Sequence, residues 1–505
     1  MPRASWPCHT SGVLRLFLNA SLIASVCAGS LAHADYMDHF VLREDVGPHK
    51  APYLGNAQLV LIPIEVAGFP PIDEAALRHF FSPDDPNGFV QYYETASLGR
   101  YHPRVTVAPK VMYASCPLPA AQFPACKVSR GDISAFSAGM DMMREVVKKT
   151  DEGGFDFSAF DVNGRKGTAD GWIDGVMLLT NVPFGGIAFP FAYFNRADNL
   201  NGGTSGPLVV DGIKIGHFAV AGESDQFVMV HEFGHLLGLT DLYDESGKYD
   251  GLYLSVMGTW GYDPNIPLPD AETRFRLRWA NWHQVQGRQR VTIHPAETTG
   301  EIFRLGVGDE YFLVENRGPG KAFDRGLPER GLAVFHVDRT VKLGGNEGQF
   351  VERILDCVNC DPWHPYISLL QADGAFEIER NRRFGKGDLF RTGSFLRRDP
   401  RDIPVSANNM ANSSNLWSGA PSGLQLDDVR VLDDGSIEVT LDAPTTGQCE
   451  ERLCAEGEGC APITCEEAPR PQGCTSVDGL APALGLLLLL EERFRRRPQH
   501  VLRGA

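Results

Sequence analysis

The residue types with the greatest chemical potential lie in the run His-Glu-Phe-Gly-His at residues 231–235. If this run is helical, His231 and His235 lie about 6 Å apart along the axis and face the same side. Both imidazoles can then bind one metal ion, while Glu232 is rotated by about 100° and lies beside the metal, where a general base accepts a proton from water. The run therefore predicts hydrolytic metal chemistry. The alternative is a buried helix with two core histidines and an ion-paired glutamate.

A third metal ligand is expected shortly after the second histidine. Ser224 or Asp225 can cap the start of the helix, and Gly238 can end it in a left-handed turn. The chain then doubles back, so Asp241 fits the third position, with Asp244 as the alternative in the same Asp-Leu-Tyr-Asp run. Two neutral histidines and one carboxylate, with a fourth position left open, are typical of catalytic zinc.

Residues downstream of this motif can complete the site. Met257 lies in the run Leu-Ser-Val-Met-Gly at 254–258. A methionine turn after a long zinc motif is the metzincin arrangement, in which the thioether lies beneath the metal. Tyr243 and Tyr253 can donate a hydrogen bond to the oxyanion of a tetrahedral intermediate. In each case the alternative is a side chain that only packs.

The whole stretch at 231–244, together with the methionine run at 254–258, resembles the immune inhibitor A family of secreted bacterial metallopeptidases. Similar stretches occur at 89–94, 97–99, 311–317, 331–338 and 371–374, within a resemblance that covers residues 57–442. It implies a zinc endopeptidase with bound calcium, followed by a β-sandwich. Carried over by position, His231 and His235 become zinc ligands and Glu232 the base.

Two features depart from the family pattern. Thr240 stands where the family usually has proline. Only a short lead separates the expected export signal from the first expected strand, so we expect the large inhibitory pro-region of many relatives to be missing. How activity is held off during export then needs another explanation.

A second metal site is predicted in the run Asp-Val-Asn-Gly at 161–164, followed after a short insertion by Asp-Gly-Trp-Ile-Asp at 170–174. Asp161, Asn163, Asp170 and Asp174 offer alternating oxygen ligands around glycines, as calcium loops do, although the insertion breaks EF-hand spacing. From spacing alone an Asx-rich turn is favoured, and the family resemblance is what points to calcium.

The pattern of apolar residues predicts the elements that must position these groups. Strands are expected at 58–66, 104–107, 110–113 and 176–179, and helices at 73–81, 89–97 and after a cap at Asp132. Later, short alternating runs predict antiparallel strands at 291–294, 310–314, 332–337 and 436–441. The expected fold class is α+β, with an antiparallel β-sandwich after a catalytic domain that the resemblance makes a metzincin-like zinc peptidase.

The ends of the chain differ in character from its body. Residues 1–34 have the apolar run and the Ala-His-Ala site of a signal peptide. The expected organisation is then a catalytic domain at 35–285, the sandwich at 286–445, a Cys-rich linker at 446–473 and a tail at 474–505. In this tail a Gly-Cys pair, a short apolar run and an arginine cluster follow in the order of myxobacterial-type surface sorting tails, which it resembles. We expect secretion, retention at the bacterial cell surface and membrane anchorage through this tail.

Composition narrows the classes of function. Lys+Arg 47 against Asp+Glu 64 gives a net charge of −17, and the body of the chain has no basic block, which argues against a nucleic-acid partner. A hydrophobic content of 43% argues against wholesale disorder. Two of the 11 cysteines lie in the expected signal peptide, and eight of the other nine fall in two close pairs and one cluster. This grouping predicts local disulfides in an oxidising compartment and leaves Cys474 over.

These features together predict a zinc-dependent metalloendopeptidase that hydrolyses extracellular proteins or peptides. One alternative is a catalytically silent surface adhesin or binding module. Another keeps the chemistry but changes the substrate to a non-protein amide such as peptidoglycan. The presence of Glu232 argues against the silent module, because a structural zinc site needs no base.

Overall fold

The computed structural model describes residues 51–114, 144–164, 167–182, 186–189, 208–222, 226–243, 252–258, 266–341, 359, 361, 363–380, 384–397 and 413–444, with the backbone alone at 186–189, 226 and 227. All of these residues belong to one structural unit. The expected signal peptide, the caps at Asp132, Ser224 or Asp225, the alternative ligand Asp244, every cysteine, the linker and the sorting tail lie outside the described residues. They stay predictions.

A mixed sheet with one antiparallel edge forms the first part of the chain. In chain order its strands are β1 (Gly55–Val66), β2 (Tyr101–Val107), β3 (Val111–Tyr113), β4 (Val176–Thr180) and β5 (Gly186–Phe189), then, after the separate hairpin β6 (Leu208–Val210) and β7 (Ile213–Ile215), β8 (Phe218–Gly222). The order is β2-β1-β4-β8-β5, and β3 also pairs with β1. All pairings are parallel except that of β5 with β8. Parallel sheets are covered on both faces, which explains the continuous apolar runs of β1, β4 and β8.

The described part of the chain also contains short helices. They are α1 (Glu74–Phe80), α2 (Phe89–Ala96), α3 (residues 144–152), α4 (Gln226–Leu236), α5 (Ala271–Arg276) and α6 (Ala296–Thr299), with a 3-10 turn at Phe157–Phe160. The carboxylate of Asp73 caps α1 by accepting hydrogen bonds from the amides of Ala75 and Ala76. The helices predicted at 73–81 and 89–97 and the four strands predicted in this part of the chain are confirmed.

Two further sheets share an apolar core in the second part of the chain. One, in the order β14-β13-β12-β11-β9, contains β9 (Asn281–Gln284), β11 (Glu301–Leu305), β12 (Glu310–Arg317), β13 (Gly331–Asp338) and β14 (Ile367–Leu370). The other, in the order β10-β16-β15, contains β10 (Gly287–Ile293), β15 (Gln425–Val431) and β16 (Ile437–Ala443). Phe312 and Val334 of the first sheet and Val439 and Leu441 of the second belong to the same buried cluster. The protein is therefore α+β, and the four strands predicted here are confirmed.

One pairing departs from a purely antiparallel sandwich. β9 pairs in parallel with β11, because the chain crosses to the other sheet as β10 and returns through α6 before β11 begins. β9 also lies at 281–284, just before the residue at which the sandwich is expected to start. The predicted domain boundaries stay a prediction.

The first sheet and its aromatic neighbours fix α4, the helix that carries the histidine motif. α4 follows β8, and its Phe233 packs against the rings of Phe89 and Tyr93 at centroid distances of 5.2 and 5.3 Å. The Tyr93 hydroxyl donates a 2.6 Å hydrogen bond to the carbonyl of Val230. α4 thus starts beyond the carboxyl end of a parallel strand, where sites of α/β sheets are usually built.

Candidate metal centre

Two histidines on one face of α4 form the base of the candidate centre. His231 is 2% exposed and His235 is partly buried, with their rings 4.9 Å apart and nearly perpendicular. The Nδ1 of His231 donates to the carbonyl of Val256 at 2.8 Å, and the Nδ1 of His235 donates to the carbonyl of Leu239 at 2.9 Å. A carbonyl can only accept, so each Nδ1 carries a proton, and each ring in its neutral form has an Nε2 lone pair for a metal.

A reversal of the chain brings a carboxylate to these two nitrogens. Gly238 has a φ of +91°, a conformation that favours glycine, and its amide donates to the carbonyl of His235. The returning chain places Oδ1 of Asp241 at 3.1 Å from Nε2 of His231 and 3.4 Å from Nε2 of His235. The ligand atoms of these three residues all lie within 4.8 Å of one another. Three atoms with lone pairs thus converge in a partly buried position, and such a set of ligand atoms fits a metal cation.

The charges of the site support the same interpretation. Burial alone would lower the pKa of His235, but the carboxylates of Asp241 and Glu232 and the Leu239 carbonyl raise it to about 9. Burial would likewise raise the pKa of Asp241, yet the two imidazoles hold it well below its usual range. The Asp241 carboxylate is therefore ionised at neutral pH, and its negative charge keeps the neighbouring His235 imidazole protonated. A bound metal ion would displace that proton.

Glu232 lies within reach of this centre without belonging to the ligand set. Its side chain is 2% exposed, and its charge is one of those that raise the pKa of His235. It follows His231 directly on α4, and one residue of an α-helix turns by about 100°, which places Glu232 beside the face that carries the two histidines. A buried carboxylate beside a metal, but not on it, has the position that a general base needs.

The segment at 252–258 packs against α4 and against the loop that follows it. Met257 is fully buried, and a methyl group added to Gly234 of α4 would lie 2.6 Å from its sulfur, so the thioether packs directly against the helix between the two histidines. The Met257 carbonyl accepts a 2.8 Å hydrogen bond from the amide of Leu242, next to Asp241. The segment therefore contacts both the helix and the loop that supply the ligands.

Replacing Gly234 with alanine should destabilise the protein in spite of the better helix propensity of alanine. Overpacking a core costs about 1–3 kcal/mol, more than the roughly 1 kcal/mol that alanine gains over glycine in a helix. Urea unfolding should show a lower free energy for Gly234→Ala than for the wild type. In a Met257→Ala background, which removes the thioether, the same change should be neutral or stabilising. Equal losses in both backgrounds would show that the sulfur contact is not the cause.

The structure brings one of the two tyrosines proposed for the oxyanion against His231. The ring of Tyr243 stacks on that of His231 at a centroid distance of 6.0 Å, and its side chain is buried. Tyr253 is also buried, within the segment at 252–258 that packs against α4. A role for either hydroxyl in the reaction stays a prediction.

The residues predicted to bind calcium lie in one loop, but their oxygens are engaged with backbone amides. Asp161 accepts from the amides of Asp170 and Gly171 at 2.9 and 2.7 Å. The side-chain amide nitrogen of Asn163 donates to the carbonyls of Leu54, just before β1, and Asn56, within β1. The carboxylate oxygens of Asp161, Asp170 and Asp174 do not all lie within 4.8 Å of one another, whereas the ligand atoms of His231, His235 and Asp241 do. The geometry favours the Asx-turn interpretation, and calcium at this loop stays a prediction.

Asp174 should make stability depend on pH. Burial raises its pKa to about 7, although the amides of Gln58, Asn163 and Val162 donate to its carboxylate and lower it. The folded state then binds a proton that the unfolded state has released, so stability falls as pH rises from about 4 to about 7. Urea unfolding across this window should show the fall in the wild type relative to Asp174→Asn, which cannot titrate.

Calcium offers a control for that prediction. An ion bound by the Asp174 carboxylate favours the ionised form, so millimolar calcium should remove the fall in stability if the loop is a calcium site. An unchanged difference with calcium would support the Asx-turn interpretation. A difference from Asp174→Asn that does not vary with pH would contradict the raised pKa itself.

Sequence analysis missed a second group of carboxylates. The oxygens of Asp373, Glu377 and Asp388 lie within 4.8 Å of one another, in the loops after β14. Burial raises the pKa of Asp388 to about 7, against the lowering by the amide of Gly385 and with a further increase from the charge of Asp373. The three acids are spread over separate turns, and no motif spacing marks them. Asp373 is exposed, the group has no histidine, and we assign it no ion.

No helix in the described part of the chain has the length and apolar character needed to cross a membrane.

Comparison with known proteins gives little support beyond these observations. The chain matches no protein-family model and no curated protein sequence. A solved structure, catalytically inactive OgpA from Akkermansia muciniphila in complex with the O-glycopeptide substrate glycodrosocin, is similar at 11% identity and a TM-score of 0.19. The similarity covers 60% of this chain and 87% of that chain. A likeness of this size carries no argument about the fold or function of the present protein.

Proposed function

We propose that the protein is a zinc metalloendopeptidase. The observation that carries this proposal is the convergence of His231, His235 and Asp241 within 4.8 Å, with a buried Glu232 next to the first ligand. A structural site would close its fourth position with a further protein ligand. Among the described residues this grouping contains three, which is the number found in catalytic zinc sites.

The residues of the centre fit zinc better than a hard cation. Imidazole and carboxylate together suit zinc, whereas magnesium and calcium prefer sets made of oxygens alone. His231, His235 and Asp241 would hold the ion. When bound, zinc supplies a Lewis acid that polarises a carbonyl group and lowers the pKa of water to about 7.

Glu232 performs the proton transfers in the proposed reaction. As water attacks the scissile carbonyl carbon, the Glu232 carboxylate accepts a proton from that water. The protonated side chain then passes the proton to the amide nitrogen, and the carbon–nitrogen bond breaks to release the amine. Burial of Glu232 at 2% exposure keeps bulk water from competing for this proton.

The fold also offers a place for an extended peptide. Among the described strands, β5 ends the sheet order beside β8, and it contacts α4, the helix that carries the two histidines. An extended chain can add to such an edge through main-chain hydrogen bonds, which are independent of sequence. We infer that protein or peptide substrates bind along β5. Secretion, retention at the cell surface and membrane anchorage through the tail are kept as proposals that rest on the sequence.

Metal removal tests the proposed function. The full chain loaded with zinc should hydrolyse a quenched casein, lose that activity to background when a chelator strips the metal, and regain it when zinc is added. Magnesium should not restore it, because imidazole ligands do not suit that ion. A protein that is folded and binds zinc but is inert on casein would contradict the peptidase. That result would favour the binding module or the hydrolase of a non-protein amide.

A further inference from the structure

Arg317 is a buried cation that joins β12 of the second part of the chain to the catalytic part. It is 1% exposed, and its Nη1 and Nη2 donate to the carbonyls of Leu254 at 3.0 Å and Leu268 at 3.3 Å. Asp324 balances its charge through two hydrogen bonds of 2.7 Å, and Glu315 accepts a third from Nη1 at 2.9 Å. The guanidinium therefore makes five hydrogen bonds, to two backbone carbonyls and two carboxylates.

The Leu254 carbonyl belongs to the segment that orients the first metal ligand. Two residues further, the carbonyl of Val256 accepts the 2.8 Å hydrogen bond from Nδ1 of His231. Between them, the hydroxyl of Ser255 donates a 2.7 Å hydrogen bond to the carboxylate of Asp270. Leu254, Ser255 and Val256 are each at most 1% exposed. The carbonyl that accepts from Arg317 and the carbonyl that accepts from His231 are therefore only two residues apart.

A guanidinium suits this place for reasons that a lysine does not meet. Its donors form a rigid planar fork, so one group can hold two carbonyls and two carboxylates in set directions. Its main partner is also fixed, because Asp324 has a φ of +59° and accepts a further hydrogen bond from the amide of Leu268. An ammonium is a compact charge on a flexible stem and cannot hold all these acceptors at once.

We propose that Arg317 is a positioning residue of the metal centre. By fixing the Leu254 carbonyl it sets the direction of the Val256 carbonyl, and with it the tautomer and ring orientation of His231. This inference rests on the proposed function, because it assigns Arg317 to the same centre. It makes metal affinity, and not only stability, depend on strand β12.

The test is Arg317→Lys in the full chain. Outer partners of metal ligands typically contribute 10- to 100-fold to metal affinity, so we expect zinc affinity to fall by about 10-fold in competition with a chromophoric chelator. The visible absorption bands of the cobalt-substituted protein should shift, because the geometry of His231 changes. In casein hydrolysis kcat should fall more than KM changes, since the reacting centre and not the binding edge is altered.

A matched variant separates positioning from a general cost of altering a buried arginine. Arg304 is buried in the same sheet, on β11, and donates to the carbonyl of Gly308 at 2.9 Å. Arg304→Lys should lower thermal stability but keep the zinc affinity and the cobalt spectrum of the wild type. Equal losses of affinity in the two variants would overturn the proposal.

Two further outcomes are decisive. Arg317→Lys with wild-type zinc affinity and cobalt spectrum would leave Arg317 a purely structural residue. If Arg317→Lys does not fold, Ser255→Ala loosens the same segment, and an unchanged cobalt spectrum there would also overturn the proposal. The metal readouts do not need peptide hydrolysis, so a wild-type protein that binds zinc but does not cleave casein contradicts only the proposed function.

Discussion

Glu232→Gln should bind zinc as tightly as the wild type and hydrolyse peptides about 10³-fold more slowly, within the range that a general base contributes. Glutamine keeps the shape of the buried side chain but cannot accept a proton at neutral pH. The ligand atoms on His231, His235 and Asp241 do not include this carboxylate, so the metal should stay. Metal analysis of the purified variant, followed by kcat/KM on quenched casein, measures both quantities on one sample.

Glu232→Asp is the matched control for that result. It keeps the charge but withdraws the carboxylate by one methylene, so it should retain zinc and show activity between the wild type and Glu232→Gln. Full activity in Glu232→Gln with zinc present would contradict the role of Glu232 as the base. Loss of zinc in Glu232→Gln would mean instead that the carboxylate helps to hold the metal.

Asp241→Ala should lower zinc affinity by at least about 100-fold, the upper end of what removal of an outer partner costs, because it removes a ligand itself. The same change should lower the raised pKa of His235, since the Asp241 charge is a main cause that opposes burial. Peptide hydrolysis should fall to background at zinc concentrations that saturate the wild type. Zinc titration against a competing chelator gives the affinity, and proton NMR of the zinc-free protein gives the histidine titration.

Asp244→Ala distinguishes the two candidates for the third ligand. We expect it to keep the zinc affinity of the wild type, because the described geometry already places Asp241 at 3.1 and 3.4 Å from the two imidazole nitrogens. Strong zinc loss in Asp244→Ala together with none in Asp241→Ala would reverse the assignment.

The convergence of His231, His235 and Asp241 was accessible from sequence because it is local. One turn of helix separates His231 from His235, and the glycine at 238 accounts for the reversal that returns Asp241. Helical and strand periodicity likewise predicted β1, β4 and β12, since each buries its apolar residues in a regular pattern. In these cases the information lies within a few consecutive residues.

Interactions between distant segments were not accessible in this way. The carbonyl of Val256 orients His231, but a backbone oxygen has no residue type to recognise. Arg317 is one arginine among many until the fold places it against Leu254. The calcium prediction met the same limit, because the amides that occupy the oxygens of Asp161 come from the turn that the loop forms. The parallel pairing of β9 with β11 also depends on where the intervening chain goes.

The hydrogen bond from Arg317 to the carbonyl of Leu254 joins residues that are synthesised at different times. A polypeptide is synthesised from its N-terminus, and its domains generally fold in that order. The histidines emerge first, the segment at 252–258 follows, and β12 comes last of the three. A nascent chain that ends before β12 has the complete histidine motif, but it lacks the Arg317 guanidinium that binds the segment at 252–258. On the proposed function, the metal centre is therefore completed late in biogenesis, after β12 has been synthesised and has folded.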